Sequence, residues 1–196
     1  MSPEATTHAK GDTVRFDDYM AKVDLPSLAN AMSAWTWLEK LTDLRAVGLT
    51  LTCDVFLIDR TNAVYFLDTN FGVVEKLATG NDDFRARLQD EAFTRSLVRM
   101  NLVQGLRAKG VDAKPGQCFS VKIPPLLGGS LREDLEQPTD FVVVLRSLAS
   151  WNLRARDYLV GQEFQLEAGD DPEIRTAFPG KLRKFPRDRE SFAISP

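Results

Sequence analysis

The residue types that usually do chemistry are scarce in this chain. Among its 196 residues there is one histidine, His8, and two cysteines, Cys53 and Cys118. A serine or cysteine nucleophile generally needs a histidine base beside it. His8 lies in the polar opening run Met1–Lys10, so the body of the chain has no histidine to offer. For the same reason histidine metal sites are not expected, and two cysteines alone cannot build a thiolate cage. The glycine-rich loops that cradle phosphates, Gly-x-x-x-x-Gly-Lys-Ser/Thr and Gly-x-Gly-x-x-Gly, do not occur. What remains is carboxylate chemistry. With 28 acidic residues, pairs arise by chance, so a pair is a weak signal. The expectation is a protein with no catalytic residue, no cofactor and no metal, which acts by binding.

Candidate binding residues are then sought among the charges. Two acidic clusters stand out: Glu133, Asp134 and Glu136, then Glu167, Asp170 and Asp171. The plain reading of either is a solvated loop. The functional reading is a surface that a basic partner groove would accept in place of phosphate. The tail Lys181–Arg189 is basic and has Phe178 and Phe185 nearby, a pattern that nucleic-acid binding can use. Docking of that tail on the chain's own acidic surface is the preferred reading. The net charge of -3 gives no reason to expect a nucleic-acid partner for the whole surface.

These residues need elements to position them. With 43% hydrophobic residues, including twelve Phe and three Trp, the chain can fill a core without a disulfide. Cys53 and Cys118 sit in apolar, strand-like stretches and are expected as buried free thiols. The opening residues lack the apolar segment of a signal peptide, and no run is long enough to span a membrane. A cytoplasmic location is therefore expected.

Residues 1–13 read as a disordered tail, residues 14–165 as one α+β domain, and residues 166–196 as a polar, proline-containing extension. Phe16, Tyr19, Met20 and Val23 suit a short helix, which Pro26 interrupts. Leu28, Ala31, Met32, Trp35, Leu38 and Leu41 then recur at helical spacing, predicting a helix over Ser27–Thr42 with Ser27 as its N-cap. A continuous helix puts Trp35 and Trp37 on different faces. The period then changes. Leu49–Thr52, Asp54–Asp59, Val64–Asp68 and Val73–Leu77 are short β-rich runs with polar links, the pattern of an antiparallel meander. Asn81 is expected to cap a helix carrying Phe84 and Leu88. A second helix follows, with Phe93, Leu97, Val98, Leu102 and Leu106 apolar, closed by Gly110. Gln117–Ile123 reads as a strand that ends at Pro124-Pro125. Phe141–Leu145 reads as a further strand, and Ser147–Val160 as a helix. Pro124-Pro125-Leu126-Leu127-Gly128-Gly129 reads as a rigid turn plugged by its leucines, or as a partner-contacting loop.

Two segments together resemble a known family. The first runs from Asp54–Asp59 through Val64-Tyr65-Phe66-Leu67-Asp68-Thr69 and Gly72-Val73-Val74-Glu75-Lys76 to Asn81–Phe84. The second runs from Leu106–Gly110 into Pro115–Pro124, then Pro125-Leu126-Leu127-Gly128-Gly129. Their order is similar to that in the C-terminal domain of type VI secretion immunity proteins of the DNase-immunity kind, from about Trp35 to about Ser150. The resemblance implies a cytoplasmic antitoxin that binds and neutralises a secreted effector toxin encoded beside it, with a nuclease as the expected target. No catalytic residue travels with it. The six acidic residues named above are then candidates for partner binding. A different interaction module, an effector adaptor or scaffold, is the alternative, and an enzyme using carboxylates alone comes third.

Overall fold

Val55, Phe56, Leu57 and Ile58 form a strand (β2, Val55–Ile58) whose alternate side chains point to opposite faces, and both sets are apolar. Such a strand must be covered on two sides. In the computed structural model, which describes residues 15–155, both faces are covered. β2 lies between β1 (Arg45–Leu49) and β3 (Val64–Asp68), and β4 (Val73–Ala78) completes the sheet. The order is β1-β2-β3-β4 with every neighbouring pair antiparallel, the expected meander, but its first strand lies ahead of the expected Leu49–Thr52, whose Leu51 and Thr52 are in the turn to β2. A separate pair, β5 (Gln117–Val121) with β6 (Leu135–Asp140), is also antiparallel. With the helices described next, the architecture is α+β. No helix among the described residues is long and apolar enough to cross a membrane. The expected tail, 1–13, and extension, 166–196, lie outside the described residues.

The helix expected over Ser27–Thr42 is shorter and begins earlier. It is α1 (Leu25–Met32), capped by Asp24, whose carboxylate accepts the N–H of Ser27 at 2.9 Å. Pro26 opens this helix rather than interrupting an earlier one, since the first turn has no hydrogen bond for a proline to remove. Past Met32 the chain tightens into 3-10 turns at Ser33–Trp35 and Glu39–Leu41. A continuing α-helix would set residues two apart about 200° from each other. Instead Trp35 and Trp37 stack, with ring centroids 5.8 Å apart. Trp35 is fully buried, and its Nε1 donates to the carbonyl oxygen of Leu145 at 3.1 Å.

Phe141–Leu145, expected as a strand, opens the longest helix described, α6 (Phe141–Ala155). Its start is fixed by Asp140, whose carboxylate accepts the N–H groups of Val142 and Val143. A helix buried on most of its surface reads as a solid apolar run, and so does a buried strand. The strand lies just upstream, in β6, where Pro138 is tolerated because the sheet has only two strands.

Leu49, Val55, Leu57 and Leu67 pack one face of the large sheet against Leu28 and Trp35 and against Leu145 and Leu148 of α6. All eight are at most 1% exposed. Phe56, Val64, Phe66 and Leu77 make the other face. Its cover is lighter: α2 (Asn81–Arg87) and α3 (Glu91–Leu97) are seven residues each, and their Phe84, Leu88 and Phe93 are only half-buried. Gly80 rather than Asn81 is the N-cap of α2, and Asp83 in its first turn accepts the N–H and hydroxyl of Thr79.

The second expected helix is two. α3 stops at Leu97 and α4 (Met100–Ala108) starts after Arg99, whose backbone is left-handed, φ 48 and ψ 45. Gly110 closes α4 as expected. Its N–H reaches Arg107 and that of Val111 reaches Leu106, the paired bonds of a glycine-closed terminus.

The chain ahead of α1 stitches the two sheets together. Ala21 N–H donates to Leu49 and Leu51 N–H to Tyr19, both at 2.8 Å, while Gly116 N–H donates to Lys22 and Phe119 N–H to Leu51. The expected helix around Phe16 is a single 3-10 turn, Phe16–Tyr19. Cys53 and Cys118 are free and buried, as expected. Only Cys118 is on a strand; Cys53 occupies a turn with φ 69. Burial first, and then the neighbouring Cys118 thiol, push the Cys53 thiol well above its ordinary pKa.

Candidate functional site

Two aspartates stand at the ends of apolar strands. Asp54 immediately precedes β2, and Asp68 is the last residue of β3. Alternation along β3 sends Leu67 to the α6 side and both Phe66 and Asp68 to the lightly covered side. The break between α3 and α4 delivers the third member. Arg99 Nε donates to Asp54 Oδ2 at 3.0 Å, and its Nη2 donates to Asp68 Oδ2 at 2.6 Å. A non-glycine residue in the left-handed region costs on the order of 1–3 kcal/mol, so something must hold it there. The two charge-assisted bonds do so, and they explain why one apolar run becomes two helices.

The two carboxylates are not equivalent. Asp54 is sealed, with 0% side-chain exposure. Its Oδ1 accepts the N–H of Thr69, and its Oδ2 accepts the Thr52 hydroxyl as well as Arg99. Thr69 carries the network onward, because its carbonyl accepts Asn152 Nδ2 from α6. Asp54 is thus the structural end of the cluster. Asp68 keeps 24% side-chain exposure and accepts the Asn70 N–H on Oδ1 and Arg99 on Oδ2. Burial first and the charge of Asp54 second push its carboxyl up to about 6, against the pull of Arg99. Burial alone would lower Arg99, but the attraction of Asp54 and then Asp68 prevails and raises it above its ordinary value. Two carboxylates share one guanidinium, so the cluster carries one excess negative charge.

Asp68 and Arg99 line a cleft of about 400 Å³. Phe66, Phe71 and Leu102 add apolar lining, and Pro125, Gly129 and Arg132 line the same cleft. Pro125 and Gly129 belong to the Pro-Pro-Leu-Leu-Gly-Gly segment. Pro125–Leu127 makes a 3-10 turn, Leu126 drops into the core at 6% exposure, and Gly128 turns back with φ 88. A Cβ on Gly129 would run into the carbonyl oxygen of Ile123, so only glycine permits this approach. The segment is both the rigid turn expected and part of a concave surface. The Leu127 side chain lies outside the described residues.

The structure describes the expected acidic residues only in part. Glu133 and Asp134 are on α5 (Leu131–Asp134) and Glu136 is on β6. Their backbone follows Leu131 and Arg132, which line the cleft, but their side chains lie outside the described residues. Glu167, Asp170 and Asp171 also lie outside, as does the basic stretch Lys181–Arg189. The residues that sequence reasoning missed are Asp54, Asp68 and Arg99. Their signal is a charge set inside an otherwise apolar run, as in Leu97-Val98-Arg99-Met100. Among the described residues, no group of three His, Cys, Asp or Glu could hold a metal ion. No family model, curated protein or solved structure matches the chain.

Proposed function

We propose that this chain is an immunity protein: it binds a cognate type VI secretion toxin in the producer's cytoplasm and neutralises it, with a nuclease as the expected target. One observation carries the reading. The two stretches that resemble the DNase-immunity family are far apart in sequence, yet Phe66 and Asp68 from the first and Pro125 and Gly129 from the second line one cleft. A cleft with apolar walls and a few convergent polar groups is the ordinary form of a recognition site. Binding rather than catalysis also suits a chain whose lone histidine is His8.

Glu133, Asp134 and Glu136 follow the cleft residues Leu131 and Arg132 in the chain, and with Glu167, Asp170 and Asp171 they are candidate contacts for a basic nuclease groove. Charges at the rim of an interface steer association more than they add affinity. The test is co-expression with the toxin encoded beside this chain. Growth should be rescued and the two proteins should purify as a stoichiometric complex. Reversing both acidic clusters to lysine should slow association and flatten its salt dependence. Absence of rescue and of complex formation would end the immunity reading, whereas unchanged association by the reversed variants would remove only the acidic contacts.

A further inference from the structure

We propose that the cleft lined by Asp68 and Arg99 receives a cationic side chain with an apolar stem, an arginine or lysine of the bound toxin, whose head pairs with Asp68. This deepens the immunity reading and rests on it.

Charge complementarity selects the occupant. Asp54 is closed to any further partner: it is sealed, and both its oxygens are engaged by Thr52, Thr69 and Arg99. Asp68 accepts one bond on each oxygen, from Asn70 N–H and from Arg99. A carboxylate offers about four acceptor positions, so about two remain, and the side chain keeps 24% exposure. The charges acting on Asp68 are Asp54 and Arg99, and Arg132 also lines the cleft. Arg132 is exposed, so water and salt screen it, while the imbalance at Asp68 is largely shielded from both.

Three kinds of occupant can be compared. An anion would add a third negative charge to a cluster already one in excess. A neutral apolar group would bury Asp68 further without giving it a partner, which is costly. A cation on an apolar stem covers Phe66, Phe71 and Leu102 with its methylenes and supplies the missing charge at its tip. Burial first and then Asp54 push the carboxyl of Asp68 up to about 6, and a cation at its free acceptor positions would oppose both.

The probe is n-butylguanidinium, with n-butylurea as its neutral counterpart of nearly the same shape, each titrated into the full chain and followed by NMR. Butylguanidinium should shift the resonances of Phe66, Phe71 and Leu102, and butylurea should bind about tenfold more weakly, the difference a single charge-assisted bond makes. By linkage, affinity for the cation should fall as pH drops through about 6, and the probe should lower the pKa of Asp68. The variant D68N should bind butylguanidinium no better than butylurea. Equal binding of the two probes by the wild-type protein, shifts confined to other residues, or a pKa of Asp68 that ignores the probe would each overturn the inference. These wild-type measurements decide the matter even if D68N does not fold. A failed probe with intact growth rescue sinks this inference and leaves the immunity reading standing; probe binding without rescue overturns the immunity reading and, with it, the assignment of the cation to a toxin.

Discussion

The two faces of the four-stranded sheet are made from the same strands and end up unlike each other. On the α6 side, Leu49, Val55, Leu57 and Leu67 meet long helical cover and are fully buried. On the other side, Phe66 and Leu77 retain 8% exposure beneath two helices of seven residues. The cleft and the unbalanced ion cluster are on the second side. One face commits its residues to stability, while the other leaves a carboxylate short of a partner. Perturbed carboxylates gather at functional sites for this reason.

The largest effect should come from the link between α3, α4 and the sheet. Arg99→Ala strands Asp54 in the interior without its cation, and loss of one partner from a buried pair costs about 3–5 kcal/mol. Urea denaturation measures this, and a loss below about 1 kcal/mol would mean that Arg99 does not hold the helix junction. Next come the faces themselves. Leu67→Ala should cost toward the upper end of the roughly 2–5 kcal/mol range for buried leucine, and Leu97→Ala toward its lower end. Equal losses would erase the distinction between a sealed and a lightly covered side. Leu126→Ala belongs in the same range if the Pro125–Leu127 turn is anchored by its core leucine.

Asp68→Asn should act in the opposite direction. The folded-state pKa of Asp68 is raised to about 6 from 3.8. The contribution of its protonated form to stability is therefore fully present below about 4 and lost as pH rises through about 6. The asparagine amide would mimic the protonated carboxyl, so the variant should be more stable than the wild type by about 1–3 kcal/mol at pH 7.5 and equal to it near pH 4. Thermal melts at the two pH values decide the sign. Destabilisation at pH 7.5 would place Asp68 with Asp54 as a structural carboxylate. The smallest effects should be at surface positions on the cleft side. Asp90→Ala removes the cap that accepts Ala92 and Phe93 N–H and should cost about 1 kcal/mol. Arg132→Ser, at an exposed position lining the cleft, should stay within about 0.5 kcal/mol.

Much of the fold is legible in the sequence because its signals are local. Val64–Asp68 is read to the residue, since alternation is bounded on both sides by turn residues. Gly110 is read because helix closure is chemistry within a few positions. Phe141–Leu145 misleads because an apolar run has no period, and the decisive residue, Asp140, precedes it. Trp35 bonds the carbonyl of Leu145, 110 positions later, and no local pattern carries that. The site is less legible still. Charge clusters draw attention to Glu133–Glu136, whereas Asp54, Asp68 and Arg99 are single charges in apolar surroundings. Arg99 lies 45 residues from Asp54 and 31 from Asp68, so their meeting is a property of the topology.

The stitch at Tyr19–Lys22 has a consequence for the order in which the protein assembles. The meander brings together neighbours in sequence and can form early, because short loops close at low entropic cost. The bonds Leu51–Tyr19, Phe119–Leu51 and Gly116–Lys22 join segments between 32 and 94 residues apart. Contacts of such separation slow folding. The clasp should therefore close last and open first: in native-state hydrogen exchange, the amides of Ala21, Gly116 and Phe119 should exchange by partial opening ahead of those in β2 and β3. A protease given the folded protein should find the chain ahead of α1 before it finds the sheet.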